Sequence, residues 1–239
     1  MKKILGVIPA RGGSKGVKQK NKRLLKGRPL IEYAIVAAQK SLLIEKLIVS
    51  TDDAEISNIA RKLGVEIPFV RPEFLATDNV SLVDVSRHAL DFFDNIGWNA
   101  EAVLSFQPTC PFIRSETIDE VIKLFISSNC DSVTTVAEIK QGHPYIAKRL
   151  ESDNTIRDFC SIPKGAVVSP RQKREKAYYL TGGIYLRSRH LLESDSVSGH
   201  CLGNDARSVI VNEIEAIDIN IELDFKFAEF LINEGIVKI

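Results

Sequence analysis

Short apolar runs alternate with amphipathic stretches along the chain as far as Val136. Residues 3–8 (KILGVI), 46–50 (KLIVS) and 102–106 (AVLSF) are continuous apolar runs of strand length, which is how strands buried on both faces read. Residues 65–70 predict a further strand, placed nearer an edge because Pro68 interrupts it, and residues 131–136 another. Pro9 is expected to end ladder pairing after the first strand, since proline has no N–H to donate. Between the strands, residues 30–39 follow Pro29 with helical periodicity. Ile56, Ile59, Ala60 and Leu63 mark a second helix that an acid of Thr51-Asp52-Asp53 caps and Gly64 ends. Residues 81–93 predict a third helix with Val85, Ala89, Leu90 and Phe93 inward. Ser115 is expected to cap a fourth, with Glu116 in its first turn. Strand and helix in this rhythm mean a parallel sheet covered on both faces.

The rhythm breaks after Val136. Residues 137–176 are polar, with Gly142, Pro144, Pro163, Gly165 and Pro170 among short apolar pieces, and predict an excursion of short strands or hairpins. Such an arm packs on a second subunit or remains a solvated loop. Residues 177–186 return as a strand interrupted by two glycines. Residues 208–211 form another, residues 217–220 alternate as a strand end, and residues 223–232 make a closing amphipathic helix. The chain reads as one domain, 1–239, with 137–176 as the arm.

The stretch with chemistry is residues 7–21, VIPARGGSKGVKQKN. It follows a buried strand and combines Gly12, Gly13 and Gly16 with Arg11, Lys15, Lys18, Lys20 and, just beyond, Lys22. Glycines let backbone N–H groups approach an anion, and cationic side chains on the same loop add the charge a polyphosphate needs. The spacing is neither GxxxxGK[ST] nor GxGxxG, so neither of those phosphate-loop types is implied. The bland alternative is a surface loop with a solvated charge run. In parallel sheets the ligand lies beyond the carboxyl ends of the strands, which gathers Arg11, Asp52, Arg71 and Gln107 around one crevice. Taken singly, Arg71 reads as a surface salt-bridge partner, Gln107 as a strand-end polar residue and Asp218 as a cap before the last helix.

Composition narrows the partners. A net charge of +1 over 239 residues argues against bulk attraction to nucleic acid or membrane, so any electropositive site is local. Cys110, Cys130, Cys160 and Cys201 form no CxxC, and no secretory signal precedes them. They read as reduced thiols in a cytoplasmic protein. The dispersed histidines argue against a zinc site, and no apolar run approaches the roughly 20 residues that span a bilayer.

The loop IPARGGSKG with Lys20-Asn21, STDD (50–53), RPEFLATD (71–78), QPTCPFIR (107–114) and DINIELDF (218–225) together resemble the acylneuraminate cytidylyltransferases, the CMP-sialic acid synthetases. The resemblance spans nearly the whole chain. It implies an α/β, Rossmann-like nucleotide-diphosphosugar transferase fold, three-layered with a mostly parallel sheet plus a dimerisation arm, and a homodimer. It also implies activation of a nine-carbon 2-keto sugar acid by CTP with Mg²⁺, giving CMP-sugar and pyrophosphate. Arg11, Gly12, Gly13, Ser14 and Lys15 would hold the triphosphate. Asn21, Arg71, Ser81 and Gln107 would shape the rest of the nucleotide site. Gln107, Lys148, Arg171 and Thr181 would face the sugar, with Arg11, Lys15, Arg171 and Asp218 at the reacting groups. Asp218 and Asn220 would hold the metal. Two departures stand out. The usual Asp-x-Asp-Thr is Asp218-Ile219-Asn220-Ile221, and Thr181-Gly182 replaces Asn-Gly. An amide can ligate Mg²⁺ through its carbonyl but brings no charge. Three readings follow: a synthetase for N-acetylneuraminate or a similar acid, one for a legionaminic, pseudaminic or Kdo-type acid, and a non-catalytic CTP-binding homologue.

Overall fold

The computed structural model describes residues 2–194 and 200–238. Its strands are β1 (Ile4–Pro9), β2 (Leu24–Leu25), β3 (Arg28–Pro29), β4 (Lys46–Ser50), β5 (Ala102–Phe106), β6 (Ser132–Glu138), β7 (Lys148–Leu150), β8 (Ile156–Asp158), β9 (Tyr178–Ser188) and β10 (Ala206–Ile210). Its α-helices are α1 (Leu30–Lys40), α2 (Ala54–Lys62), α3 (Leu82–Asn95), α4 (Ser115–Ser128), α5 (Arg189–Glu193) and α6 (Glu222–Asn233). Six strands form the main sheet in the order β10-β6-β9-β5-β1-β4. β1 pairs in parallel with β4 and β5, and β10 with β6, whereas β9 runs antiparallel to both β5 and β6. The expected mostly parallel sheet is present, with one reversed strand near its middle.

The apolar alternation of β1 explains why both faces are covered. Ile4 and Ile8 join a core with Ile31 and Ile35 of α1, Ile56 of α2 and Val121 and Phe125 of α4. Leu5 and Val7 join an opposite core with Val85, Leu90 and Phe93 of α3. A third cluster packs Phe225, Ala228 and Leu231 of α6 on Val17, Leu25, Tyr33 and Ile219. This last cluster anchors the loop after β1 to the C-terminal segment. Among the described residues no helix is long and apolar enough to cross a membrane.

Several sequence expectations are corrected. Residues 65–70 form no strand. A single bridge joins Glu66 to Ile48, because Pro68 cannot extend the ladder. Pro9 does not end β1, since it still pairs with Ser50 and the Ala10 N–H reaches the Ser50 carbonyl at 2.9 Å. Alternate residues face opposite neighbours, so the nitrogen of Pro9 faces β5, whose register with β1 already stops at Val7. The N-cap of α4 is Arg114, not Ser115. Ser115 is the first helical residue, its hydroxyl bonded to Glu116. Residues 217–220 are not a strand. They lie against a turn, held by the Ile219 N–H on the Thr109 carbonyl at 2.8 Å.

The arm leaves after β6 and returns into β9. Its root is closed by the Ile139 N–H on the Ala177 carbonyl at 2.8 Å and by buried His143, whose Nε2 meets the Glu175 carbonyl at 3.0 Å. Beyond that root, β7 and β8 form an antiparallel hairpin exposed along its length.

Candidate active site

Three parallel strands end side by side. β1 opens into the glycine-rich loop, β4 into Thr51-Asp52-Asp53 and β5 into Gln107-Pro108-Thr109. The loop is pinned rather than floppy. Buried Asn21 donates its Nδ2 to the Arg11 carbonyl at 3.0 Å, and Lys20 Nζ donates to the Ile219 carbonyl at 2.6 Å. Lys22 reaches Asp53 at 3.0 Å and Glu55 at 2.6 Å, and Asp53 in turn caps α2 through the Glu55 and Ile56 amides. Two glycines are spatial necessities. A Cβ on Gly12 would lie 2.8 Å from Asp53 Oδ2, and one on Gly16 would lie 2.1 Å from the Asn220 carbonyl oxygen. A Cβ on Gly13 would meet nothing within 4 Å.

The result is a cleft of about 370 Å³, lined among others by Arg11, Ser14, Lys15, Asn21, Arg71, Ser81, Gln107 and Asn220. These eight were all anticipated, although they come from five separate stretches of chain. Arg71 is 4 % exposed, which removes the surface salt-bridge reading. Its Nε donates to Ser50 Oγ at 3.0 Å and its Nη2 to the Ser50 carbonyl at 2.5 Å. Burial pulls the guanidinium down to about 10, with nearby Asp52 opposing, so it remains charged at neutral pH. Gln107 commits its Nε2 to the Gly182 carbonyl at 2.9 Å, which leaves Oε1 as what it offers a ligand. Ser81 caps α3 in a reciprocal box with Asp84, so the positive end of the α3 dipole borders the cleft.

Other anticipated residues stand apart. The Gly12 amide is already donated to Asp52 Oδ1 at 2.9 Å, so in this conformation it is not open to a phosphate. Thr181 is buried between strands, its hydroxyl 2.7 Å from that of Thr135, and does not line the cleft. Lys148 pairs with Asp158 across the arm hairpin, and Arg171 begins an exposed 3-10 turn of the arm (Arg171–Lys173). Neither lines the cleft. Asp218 sits just behind the cleft wall. A Cβ on Gly182 would touch both Gln107 Nε2 at 3.8 Å and Asp218 Oδ2 at 3.9 Å. Asp218 Oδ2 accepts from Asn220 Nδ2 at 2.8 Å, while Asp218 Oδ1 is buried with no hydrogen-bond partner. Burial holds the Lys20 ammonium below its ordinary value, and Asp218 opposes that shift. Burial, reinforced by Asp218, pushes the Cys110 thiol up.

Two residues escaped the sequence reading. Asp78 bridges Arg11, at 2.5 Å, and Lys15, and nothing in the spacing of a polar loop singles it out. Glu215 is buried and gathers the Arg114 guanidinium at 2.9 Å, Thr117 Oγ1 at 2.6 Å and Asn212 Nδ2 at 3.0 Å. The arginine of QPTCPFIR therefore fastens the segment leading to Asp218 and does not enter the cleft.

The Cytidylyltransferase family profile matches residues 5–196, and the chain belongs to that family. It is 32% identical over 235 residues to the CMP-N,N'-diacetyllegionaminic acid synthase of Campylobacter jejuni, covering 98% of this chain and 96% of that one. It is also 32% identical over 239 residues to the post-translational flagellin modification protein B of Campylobacter coli, covering 98% and 97%. Among solved structures, a CMP:2-keto-3-deoxy-manno-octonic acid synthetase complexed with CTP superposes with a TM-score of 0.70. That match has 17% identity and covers 98% of this chain and 100% of that one, a likeness of fold.

Proposed function

We propose that the protein is a CTP-dependent cytidylyltransferase that activates a nine-carbon 2-keto sugar acid of the N-acetylneuraminate or legionaminate kind, releasing pyrophosphate. The observation that carries this is the convergence of Arg11, Lys15, Asn21, Arg71 and Gln107 on one cleft at the carboxyl ends of parallel strands, in a chain of this family. The full-length similarity to a legionaminic acid synthase supports the diacetylated acid as first choice.

The reaction is in-line attack of the anomeric hydroxyl on the α-phosphate. The protein's part is to align the reactants and neutralise charge. Arg11, Ser14 and Lys15 would receive the triphosphate, and the cationic loop would hold the departing pyrophosphate. Arg71 and Gln107 would fix the nucleoside from the floor of the cleft. Mg²⁺ fits the remaining donors, since Asp218 offers a buried oxygen with no partner and Asn220 an amide carbonyl. One carboxylate suffices for an ion that keeps water and substrate phosphate oxygens as its other ligands. When bound, it would supply positive charge beside the phosphates.

Lys148 and Arg171 would act from a second copy, because both lie outside their own cleft on an exposed arm. That arm also exposes Leu150, Ile156 and Phe159, which favours a homodimer. A second reading, a non-catalytic CTP-binding homologue, is favoured by Asn220 alone. The test is pyrophosphate release with Mg²⁺ and CTP, ATP or UTP against N-acetylneuraminic, legionaminic, pseudaminic and Kdo acids. Release with CTP and one acid supports the synthetase and names its substrate. CTP binding without release from any acid supports the non-catalytic reading.

A further inference from the structure

Apart from exposed Lys18, the cations of the glycine-rich loop and of the turn that follows it fall into two sets. Lys20 and Lys22 have structural partners: the Ile219 carbonyl for the first, Asp53 and Glu55 for the second. Arg11 and Lys15 have only one side-chain partner among the described residues, and it is the same carboxylate. Asp78 Oδ1 meets Arg11 Nη2 at 2.5 Å and Asp78 Oδ2 meets Lys15 Nζ. Lys15 and then Arg11 hold this carboxyl below its ordinary value.

The segment carrying Asp78 is otherwise lightly held. It lies between the 3-10 turn Glu73–Leu75 and the capping box of α3. Residues 78 and 79 form a local turn, and among the described residues no backbone hydrogen bond ties 77–80 to the glycine-rich loop, so the two ion pairs are the segment's polar attachment to it. Arg11, Lys15 and Asp78 all line the cleft, and all three side chains are within reach of solvent.

We propose that Asp78 is a displaceable counter-ion of the triphosphate loop, holding Arg11 and Lys15 in place until a polyphosphate takes them over. This deepens the nucleotide reading and rests on it. A singly charged carboxylate keeps two cations near their working positions without a ligand. A phosphate chain bearing several charges outcompetes it. The latched fraction lowers apparent affinity, because only the unlatched fraction binds. The same competition acts on the product, with Asp78 returning as pyrophosphate leaves. Asp78 thus holds polyphosphate affinity down and release up.

The experiment is calorimetric titration of CTP and of inorganic pyrophosphate into the wild type, Asp78→Asn and Asp78→Glu at low and high salt. Exposed ion pairs are individually weak, so Asp78→Asn is expected to bind pyrophosphate about three- to tenfold more tightly at low salt. The gain should shrink as salt screens the pairs, and Asp78→Glu, which keeps the charge, should stay near wild type. Unchanged or weaker binding by Asp78→Asn, while the wild type binds CTP, overturns this proposal alone: the carboxylate then orients the cations within the complex. A wild type that binds neither CTP nor pyrophosphate overturns the nucleotide reading and this proposal with it.

Discussion

At the cleft, candidate side chains lie beyond the ends of buried strands and are held from behind. Arg71 is clasped by Ser50, Asn21 by the Arg11 carbonyl and Gln107 by Gly182. Along the arm, β7 and β8 are exposed at every position, and among the described residues Lys148 has one side-chain partner, on the neighbouring strand. One region is complete within the chain, and the other presents apolar and cationic side chains with nothing of its own fold to cover them. The contrast teaches that the cleft is preorganised by folding, while the proposed contribution of the arm requires a second copy. The nucleotide end needs the first kind, because alignment of a charged chain tolerates little displacement.

The sharpest way to break the comparison is Gly16→Ala. The added Cβ would collide with the Asn220 carbonyl, so loop and C-terminal segment must part. We expect CTP-dependent pyrophosphate release to fall about a hundredfold or more with the circular dichroism spectrum unchanged, since a displacement of roughly 1 Å costs that much. Activity within a few-fold of wild type would show that the cleft is not preorganised.

The arm has its own test. Arg171→Ala should impair sugar use while leaving the affinity for CTP unchanged. Mixing it with Gly16→Ala should restore about a quarter of wild-type activity, because half of random dimers are mixed and each carries one intact site. Activity no greater than the sum of the two variants would place the arm in its own subunit's service.

The smallest effect concerns the rigid body alone. Arg189 of α5 grips Asp94 of α3 with both terminal nitrogens, at 2.6 and 2.7 Å, and holds its carboxyl below the ordinary value. A depressed acid contributes stability that is fully present above its unfolded value and is lost as pH falls through its folded value. The pair is worth up to about 1 kcal/mol. The gap in urea midpoint between wild type and Asp94→Asn should therefore close below about pH 4. A gap that persists at acid pH would mean that packing, not charge, carries the contact.

Much of this architecture was legible because burial on two faces writes itself as unbroken apolar runs, as in Ile4–Pro9 and Ala102–Phe106. The direction of β9 was not legible, since side-chain alternation is the same either way along a strand. Residues 217–220 misled because buried Ile219 and partly buried Ile217 pack among the residues around α6 rather than in a sheet. In the site, glycine and cation density marked the loop after β1. Asp78 and Glu215 were hidden because a single acid has meaning only through what the fold sets beside it. Arg71 is placed at the cleft by its position after the strands and by the resemblance, whereas taken singly it reads as a surface group, since a charge buried against one serine has no sequence signature.

The reversal of β9 carries a consequence for how such a chain can diversify. β6 ends and β9 begins at the same rim of the sheet, with Glu138 paired to Tyr178 and the Ile139 amide on Ala177. Everything between them is an insertion sealed at its neck, so its length and composition can vary without changing the pairing of any strand of the main sheet. The rim where it is sealed is also where the parallel strands deliver the cleft. A lineage could thus exchange the arm as one would change the bit of a drill, leaving the cleft in its socket.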